Sequence, residues 1–103
     1  MIVVKSKNGA PIRLTNERWG HIIKNHPEMA DQREKILETV NKPHMIQQGD
    51  MQTLIASKYY PKTPLTDKFM SVVYKEIGTA DGFILTAYFT GRLSERRIII
   101  WKR

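Results

Sequence analysis

The stretch "FMSVVYKEIGTADGFILTAYFTGR", residues 69–92, contains two runs of β-branched and aromatic residues on either side of the turn residues "GTADG". Such a pattern predicts two strands that are joined by a short connection and therefore pair antiparallel. In the second run, alternate residues are apolar: Phe83, Leu85, Ala87 and Phe89. From position 86 the intervening residues are polar: Thr86, Tyr88, Thr90 and Arg92. Because strand side chains alternate between faces, this strand is predicted to have one apolar and one polar face.

Similar strand patterns lie on both sides of this hairpin. Further strands are predicted in "MIQQ" (45–48), "MQTLIASKYY" (51–60) and "RRIIIWKR" (96–103). The breaks "GD", "PKTPLTDK" and "GRLSE" are turn-sized, so consecutive strands are predicted to form an antiparallel meander. Near the start of the chain, "MIVVK" predicts a short strand, and "IRL" a second extended piece after the turn "NGAP".

Between these regions the apolar residues follow helical spacing. A first helix is predicted in "NERWGHIIKNH" after Thr15 as the N-cap, and Pro27 ends it. A second is predicted in "ADQREKILETVNK", with Asp31 as the N-cap. The chain of 103 residues is therefore predicted to be a single α+β domain over residues 1–103. Its two N-terminal helices are expected to pack on one face of an antiparallel sheet of four to five strands.

The charge of the chain indicates a polyanionic partner. The formal net charge is +7, which favours nucleic acid and RNA in particular, although a solvated basic surface is the alternative explanation. Basic residues concentrate near the end of the sequence, against the single acid Glu95: Arg92, Arg96, Arg97, Lys102 and Arg103. No apolar run approaches the roughly 18 residues that span a bilayer, so no membrane partner is expected and a cytoplasmic location is the default.

The polar face of the strand is the first candidate site. Arg92 could hold phosphate oxygens in a bidentate fork, Tyr88 could stack on a base, and Thr86 and Thr90 could donate hydrogen bonds. The alternative is the ordinary wet face of an antiparallel strand. Lys75 could neutralise a pentavalent phosphate, or it is a plain surface lysine. Arg96 and Arg97 complete the predicted substrate-binding set.

The histidines are the candidates for proton transfer, because imidazole exchanges protons near neutral pH. His26 lies on the apolar stripe of the first helix, where it faces the sheet or is a packed boundary residue, whereas His21 lies near the opposite side. Their spacing does not suit a metal pair, and the zero cysteines exclude thiolate zinc sites. Phosphate-binding loop, dinucleotide-binding and nucleophile-elbow motifs are missing from the sequence, so no metal and no cofactor are expected.

Three blocks together give the sequence a resemblance to a known superfamily: "RLTNERWGHIIKNHPEM", "ILETVNKPHMIQQGD" and "DGFILTAYFTGRL". They resemble the small phage- and toxin-associated nuclease domains of the barnase–EndoU–colicin D–RelE-like superfamily (PBECR-type), over almost the whole chain from Arg13 onward. The resemblance implies metal-independent RNA cleavage by proton transfer and phosphate stabilisation. It matches His21 and His26 to the helix histidines, and Thr90 and Arg92 to the strand end. Tyr88 and Lys75 are candidates from the residues alone.

Two functional hypotheses follow. The first is a metal-independent endoribonuclease, for which a toxin is one biological role. It would cleave RNA by 2′-hydroxyl attack, with histidine acid–base catalysis and with phosphate stabilisation by arginine, threonine and tyrosine. The second is a non-catalytic basic module that binds RNA or a protein through the same face. The sequence leaves open the RNA target, the oligomeric state and an acidic cognate inhibitor or antitoxin.

Overall fold

The structure is a computed structural model that describes residues 1–61 and 68–103. It is an α+β fold with two α-helices and a seven-stranded sheet in these residues. The helices are α1 (Asn16–Asn25) and α2 (Arg33–Asn41). The strands are β1 (Ile2–Lys5), β2 (Pro11–Leu14), β3 (Met45–Gln48), β4 (Leu54–Tyr59), β5 (Phe69–Ile77), β6 (Asp81–Thr90) and β7 (Ile99–Lys102). The break predicted in "PKTPLTDK" lies mostly outside the described residues.

The strand order is β1-β2-β6-β5-β4-β3-β7. The predicted meander is confirmed for β3 to β6, whose neighbours all pair antiparallel. The prediction of four to five antiparallel strands is wrong, because β1 and β2 also join the sheet and β2 runs parallel to β6. For the same reason the helices are not N-terminal but follow two strands. With one edge of β6 taken by β2, β7 cannot pair there and instead joins β3 at the far edge.

The two helices begin differently. Thr15 caps α1 as predicted, since its hydroxyl accepts a hydrogen bond from the Arg18 backbone N–H at 3.1 Å. The N-cap predicted at Asp31 is wrong: Gln32 occupies that position and makes no side-chain cap bond. A single 3-10 turn at Pro27–Met29 precedes α2, and α2 therefore begins later in the sequence than predicted, at Arg33.

Both helices pack on the same face of the sheet, as predicted. Ile22 of α1 and Ile36 and Val40 of α2 are fully buried in one cluster with inward residues of the strands. The central strand residues of this cluster are Met70, Val72, Tyr74, Ile84, Ala87 and Phe89. The opposite face of the sheet therefore remains free of helices, and we call it the open face.

A bulge in β6 changes the alternation that the sequence predicted. The register shifts so that Tyr74 lies opposite Ile84 while Val73 lies opposite Thr86, which leaves Leu85 without a partner. Ile84 is therefore buried in the core, whereas the prediction placed Phe83 and Leu85 on the apolar face. Thr86, Tyr88 and Thr90 keep their shared open face, because the bulge precedes them.

The turn between β3 and β4 carries backbone strain that substitution should relieve. Met51 and Gln52 have φ values of 54° and 65°, and the Thr53 N–H donates to the Asp50 carbonyl at 3.1 Å. Two positive φ values in a two-residue turn favour Asn-Gly, because other residues pay a steric cost. We expect Met51→Asn with Gln52→Gly to raise the free energy of unfolding by about 1 kcal/mol in urea denaturation.

The control for this prediction is Ala80→Gly in the turn between β5 and β6. Ala80 is exposed and does not have a positive φ, so glycine there relieves nothing and adds only unfolded-state entropy. This variant should be neutral or less stable. A turn variant no more stable than the parent would contradict the assignment of strain.

Candidate nucleic-acid cleft

The segment 91–98 crosses the open face of the sheet. It leaves the end of β6 and must pass β5, β4 and β3 to reach β7 at the far edge. The Gln47 side-chain amide donates to the Ser94 carbonyl at 2.7 Å, and the Gln48 backbone N–H donates to the Ile98 carbonyl at 2.8 Å. We call residues 91–98 the crossover segment. It lies over the open face while the helices cover the other.

Local hydrogen bonds shape the two turns of the crossover segment. The Thr90 hydroxyl donates to the Arg92 carbonyl at 3.0 Å, which turns the chain out of β6. The Ser94 hydroxyl accepts from the backbone N–H groups of Arg96 and Arg97 at 3.2 and 3.3 Å. These bonds use local side chains to satisfy backbone groups that have no strand partner.

A cleft of about 500 Å³ lies between the crossover segment and the open face. Its lining comes from both: Gln47, Ile55, Ser71, Tyr88, Thr90, Arg92, Leu93, Ser94, Glu95, Arg96 and Arg97. Three of these side chains are arginines and one is a glutamate, a net excess of two positive charges. A concave surface with that balance attracts anions.

Five of the predicted site residues meet in this cleft: Tyr88, Thr90, Arg92, Arg96 and Arg97. They do not all have free groups. The Thr90 hydroxyl proton is engaged by the Arg92 carbonyl, and Arg97 donates to the Asp50 carboxylate at 3.1 and 3.4 Å. The Arg92 side chain, in contrast, is 86% exposed and has Glu95 only at 4.0 Å. Arg92, whose ion pair is long and exposed, and Arg96, which has no ion pair among the described side chains, are therefore the cleft arginines available to bind a phosphate.

His26 lies beside Tyr88 at the side of the cleft. The two ring centroids are 6.0 Å apart and the rings are tilted by 36°. The His26 Nδ1 atom also lies 3.7 Å from a carboxylate oxygen of Glu28. This approach arises because β2 ends at Leu14 and pairs only with the first half of β6, which leaves the later half of that edge to α1. His26 is not part of the cleft lining itself.

Three predicted residues lie elsewhere. His21 is exposed on α1, shares a hydrogen bond of 3.0 Å with Asn25 and lines a separate depression with Arg18 and Lys24. Lys75 lies on β5 and pairs with Phe83 of β6. It is four residues along β5 from the cleft residue Ser71, a distance of about 13 Å. Thr86 shares the open face but is not in the lining.

Six lining residues of the cleft were not predicted as site residues: Gln47, Ile55, Ser71, Leu93, Ser94 and Glu95. Gln47 is buried and holds Ser94, while Ser71 forms a buried hydroxyl pair with Ser57 at 2.9 Å beneath the cleft. The signal for the serines was present in the sequence, since each is a small polar residue inside an otherwise apolar strand. No local pattern indicates the contact between Gln47 and Ser94, which are 47 positions apart.

The ion pair between Asp50 and Arg97 makes the anchoring of the crossover segment depend on pH. The hydrogen bond from Arg97, and then its charge, lowers the pKa of Asp50 below the ordinary value of 3.8, and the same contact raises the pKa of Arg97. A carboxyl group with a lowered folded pKa stabilises the fold above its unfolded pKa and loses this contribution as pH falls through the folded pKa.

We therefore expect the backbone amide resonances of Ser94 to Arg97 to shift together in an acid titration, with a midpoint below 3.8. Asp50→Asn should remove this transition. A midpoint at or above 3.8 would show that the pair does not hold the segment in solution.

Among residues 1–61 and 68–103, no group of three or more histidine, aspartate or glutamate side chains is arranged to hold a metal ion. No helix in these ranges is long and apolar enough to cross a membrane. Comparisons with family models, with curated proteins and with solved structures found no match to this chain.

Proposed function

We propose that this protein is a metal-independent endoribonuclease that acts on RNA in the cleft under the crossover segment. The observation that carries the proposal is the junction of His26 and Tyr88, where an imidazole adjoins an arginine-lined cleft. Arginine guanidinium groups suit phosphate, and an aromatic ring suits the face of a base. The cytoplasm, where RNA is abundant, is the proposed site of action, and toxicity to the producing cell is part of the same proposal.

The proposed reaction uses the RNA's own 2′-hydroxyl as the nucleophile. Its oxygen bonds to the adjacent phosphorus as the bond from phosphorus to the 5′-oxygen breaks, which gives a 2′,3′-cyclic phosphate and a free 5′-hydroxyl. His26 takes the 2′-hydroxyl proton, and an acid returns a proton to the leaving 5′-oxygen. Tyr88 is the acid nearest to His26 in the cleft. Arg92 stabilises the charge on the phosphoryl oxygens.

The second candidate is a non-catalytic module that binds RNA or a protein through the same cleft. It is favoured by the engaged hydroxyl of Thr90 and by the position of His26 outside the lining. The two candidates share the arginines and differ in whether proton transfer occurs. A binding module keeps its affinity when His26 is lost, whereas a nuclease loses turnover.

The direct experiment is incubation of the purified protein with total RNA in EDTA, followed by analysis of the new ends. The proposal expects 2′,3′-cyclic phosphate and 5′-hydroxyl termini, and no cleavage of DNA, which lacks the 2′-hydroxyl. Expression in a bacterial host should slow growth, and expression of the His26→Ala variant should not. RNA binding without cleavage would favour the second candidate.

The affinity for RNA should depend strongly on salt. Arg97 is held by Asp50, so neutralisation of one phosphate by each of the other two cleft arginines, Arg92 and Arg96, gives a slope of log K against log salt of about −1.4 for a single strand. We expect a non-cleavable 2′-O-methyl oligonucleotide to lose roughly 7-fold in affinity between about 50 and 200 mM salt in fluorescence anisotropy. Arg96→Ala should reduce the slope by about 0.7. Equal affinity at both salt concentrations would remove the electrostatic basis of the proposal.

A further inference from the structure

Strand β7 forms an edge of the sheet with apolar side chains in solvent. It pairs with β3 on one side, and no strand in the described residues pairs with its other side. Three consecutive isoleucines at this edge are at least half exposed: Ile98 at 66%, Ile99 at 50% and Ile100 at 52%. An edge of this kind offers unpaired backbone groups and apolar area to another extended chain.

The opposite edge of the sheet is covered, which makes β7 distinctive. At that edge β1 contacts α2, and the Asn41 side-chain amide donates to the Lys5 carbonyl at 2.9 Å. A side chain thus occupies a backbone acceptor that another strand would need. No side chain bonds to the backbone of β7 within the described residues.

Charges at both ends of β7 decide which partner fits. Arg96 precedes the isoleucines and Lys102 and Arg103 follow them, and none of these three has a carboxylate within 4.0 Å among the described side chains. Antiparallel pairing of two copies would bring Arg96 of each near the basic end of the other. Parallel pairing would align like charges throughout. Both arrangements of a second copy are therefore disfavoured, since like charges opposite each other destabilise a strand pair.

We propose that the β7 edge docks an extended acidic segment of a partner protein by β-strand addition. Backbone hydrogen bonds would supply the affinity, apolar side chains would cover the isoleucines, and carboxylates at the two ends would pair with Arg96 and Lys102. The extra residue Ile100, which has no partner in β3, increases the local twist of β7, so the docked segment is expected to be short. This inference does not rest on the proposed nuclease activity: Arg96 also lines the cleft, but Lys102 and Arg103, which the test changes, do not.

The test is an NMR titration of the labelled full chain with the blocked peptide EVTVTE, and with KVTVTK as the charge-reversed control. We expect chemical-shift changes and slowed amide exchange confined to β3 and residues 96–103 with the acidic peptide, and no change with the basic one. Lys102→Glu with Arg103→Glu should weaken binding by at least tenfold. The matched control is Lys24→Glu with Arg33→Glu, which makes the same charge change on α1 and α2 and should leave binding unaltered.

Three results would overturn the inference. The first is an absence of shifts at millimolar peptide, and the second is a shift pattern centred on the cleft residues Tyr88 and Arg92, as for a generic polyanion. The third is a dimer of the peptide-free protein in sedimentation in which slowed amide exchange shows β7 to be the contact. RNA cleavage by the same protein sample is scored separately, so failure here and failure of the nuclease proposal are distinguishable.

Discussion

Replacement of His26 by alanine is expected to lower the rate of RNA cleavage by about 10²-fold, the usual effect of removing an acid–base group. His26 is the histidine whose ring lies beside the cleft, with its centroid 6.0 Å from that of the lining residue Tyr88. Alanine keeps the backbone but removes the only imidazole beside the cleft among the described residues. Cleavage should be measured with a defined RNA under single-turnover conditions, which separate chemistry from product release.

His21→Ala is the matched control for this prediction, because it removes the same side chain from the same helix. His21 points away from the cleft and bonds to Asn25, so its loss should leave cleavage near the parental rate. Thermal unfolding of both variants shows whether either change disturbs packing. Equal loss of activity in the two variants, or no loss in either, would contradict the assignment of proton transfer to His26.

The strands were predictable where apolar and polar residues alternate along the sequence, or where turn residues bound an apolar run. The bounds of β3 and β5 agree with their predicted stretches, 45–48 and 69–77. The membership of β1 and β2 in the sheet was not predicted, although a short strand and an extended piece were expected there. Their place depends on distant partners: Arg13 of β2 lies beside Phe83 of β6, and no local pattern encodes such a parallel pairing.

The path of the crossover segment was also not predicted, because it too depends on distant parts of the sheet. The turn-sized break "GRLSE" predicted that β7 would fold back onto β6. That edge of β6 was already occupied by β2 and α1, and β3 offered the free edge instead. Which strand edge is free for β7 depends on the complete sheet, so the sequence pattern of successive segments does not predict it.

The candidate site was predictable in part. Strand alternation placed Tyr88 and Thr90 on one face, and this holds because the bulge at Leu85 comes before them. The helical stripe directed His26 towards the sheet, but its approach to Tyr88 also needs β2 to stop at Leu14. The cleft itself exists only because the crossover segment returns over the strands. The position of the crossover segment over the cleft was therefore not predictable, although the arginines of this segment were identified as candidates.

Loss of Arg92 should affect cleavage as strongly as loss of His26, for a different reason. Its side chain is 86% exposed at the cleft, and its one ion pair among the described residues is a long, exposed contact with Glu95 at 4.0 Å, which a phosphate can replace. A guanidinium can donate two parallel hydrogen bonds to phosphoryl oxygens, and this interaction strengthens as negative charge develops there. We expect Arg92→Ala to reduce the rate of cleavage by about 10²-fold.

Two further variants make this expectation specific. Arg92→Lys keeps the charge but loses the planar fork, so it should restore RNA affinity more fully than the rate of cleavage. Arg33→Ala makes the same charge change on α2, where the guanidinium lies 5.7 Å from the Trp19 ring and outside the cleft. It should cleave at the parental rate once its stability is accounted for. If Arg33→Ala and Arg92→Ala lose activity equally, then Arg92 acts only through the overall charge of the protein, and the phosphate-binding role assigned to it is wrong.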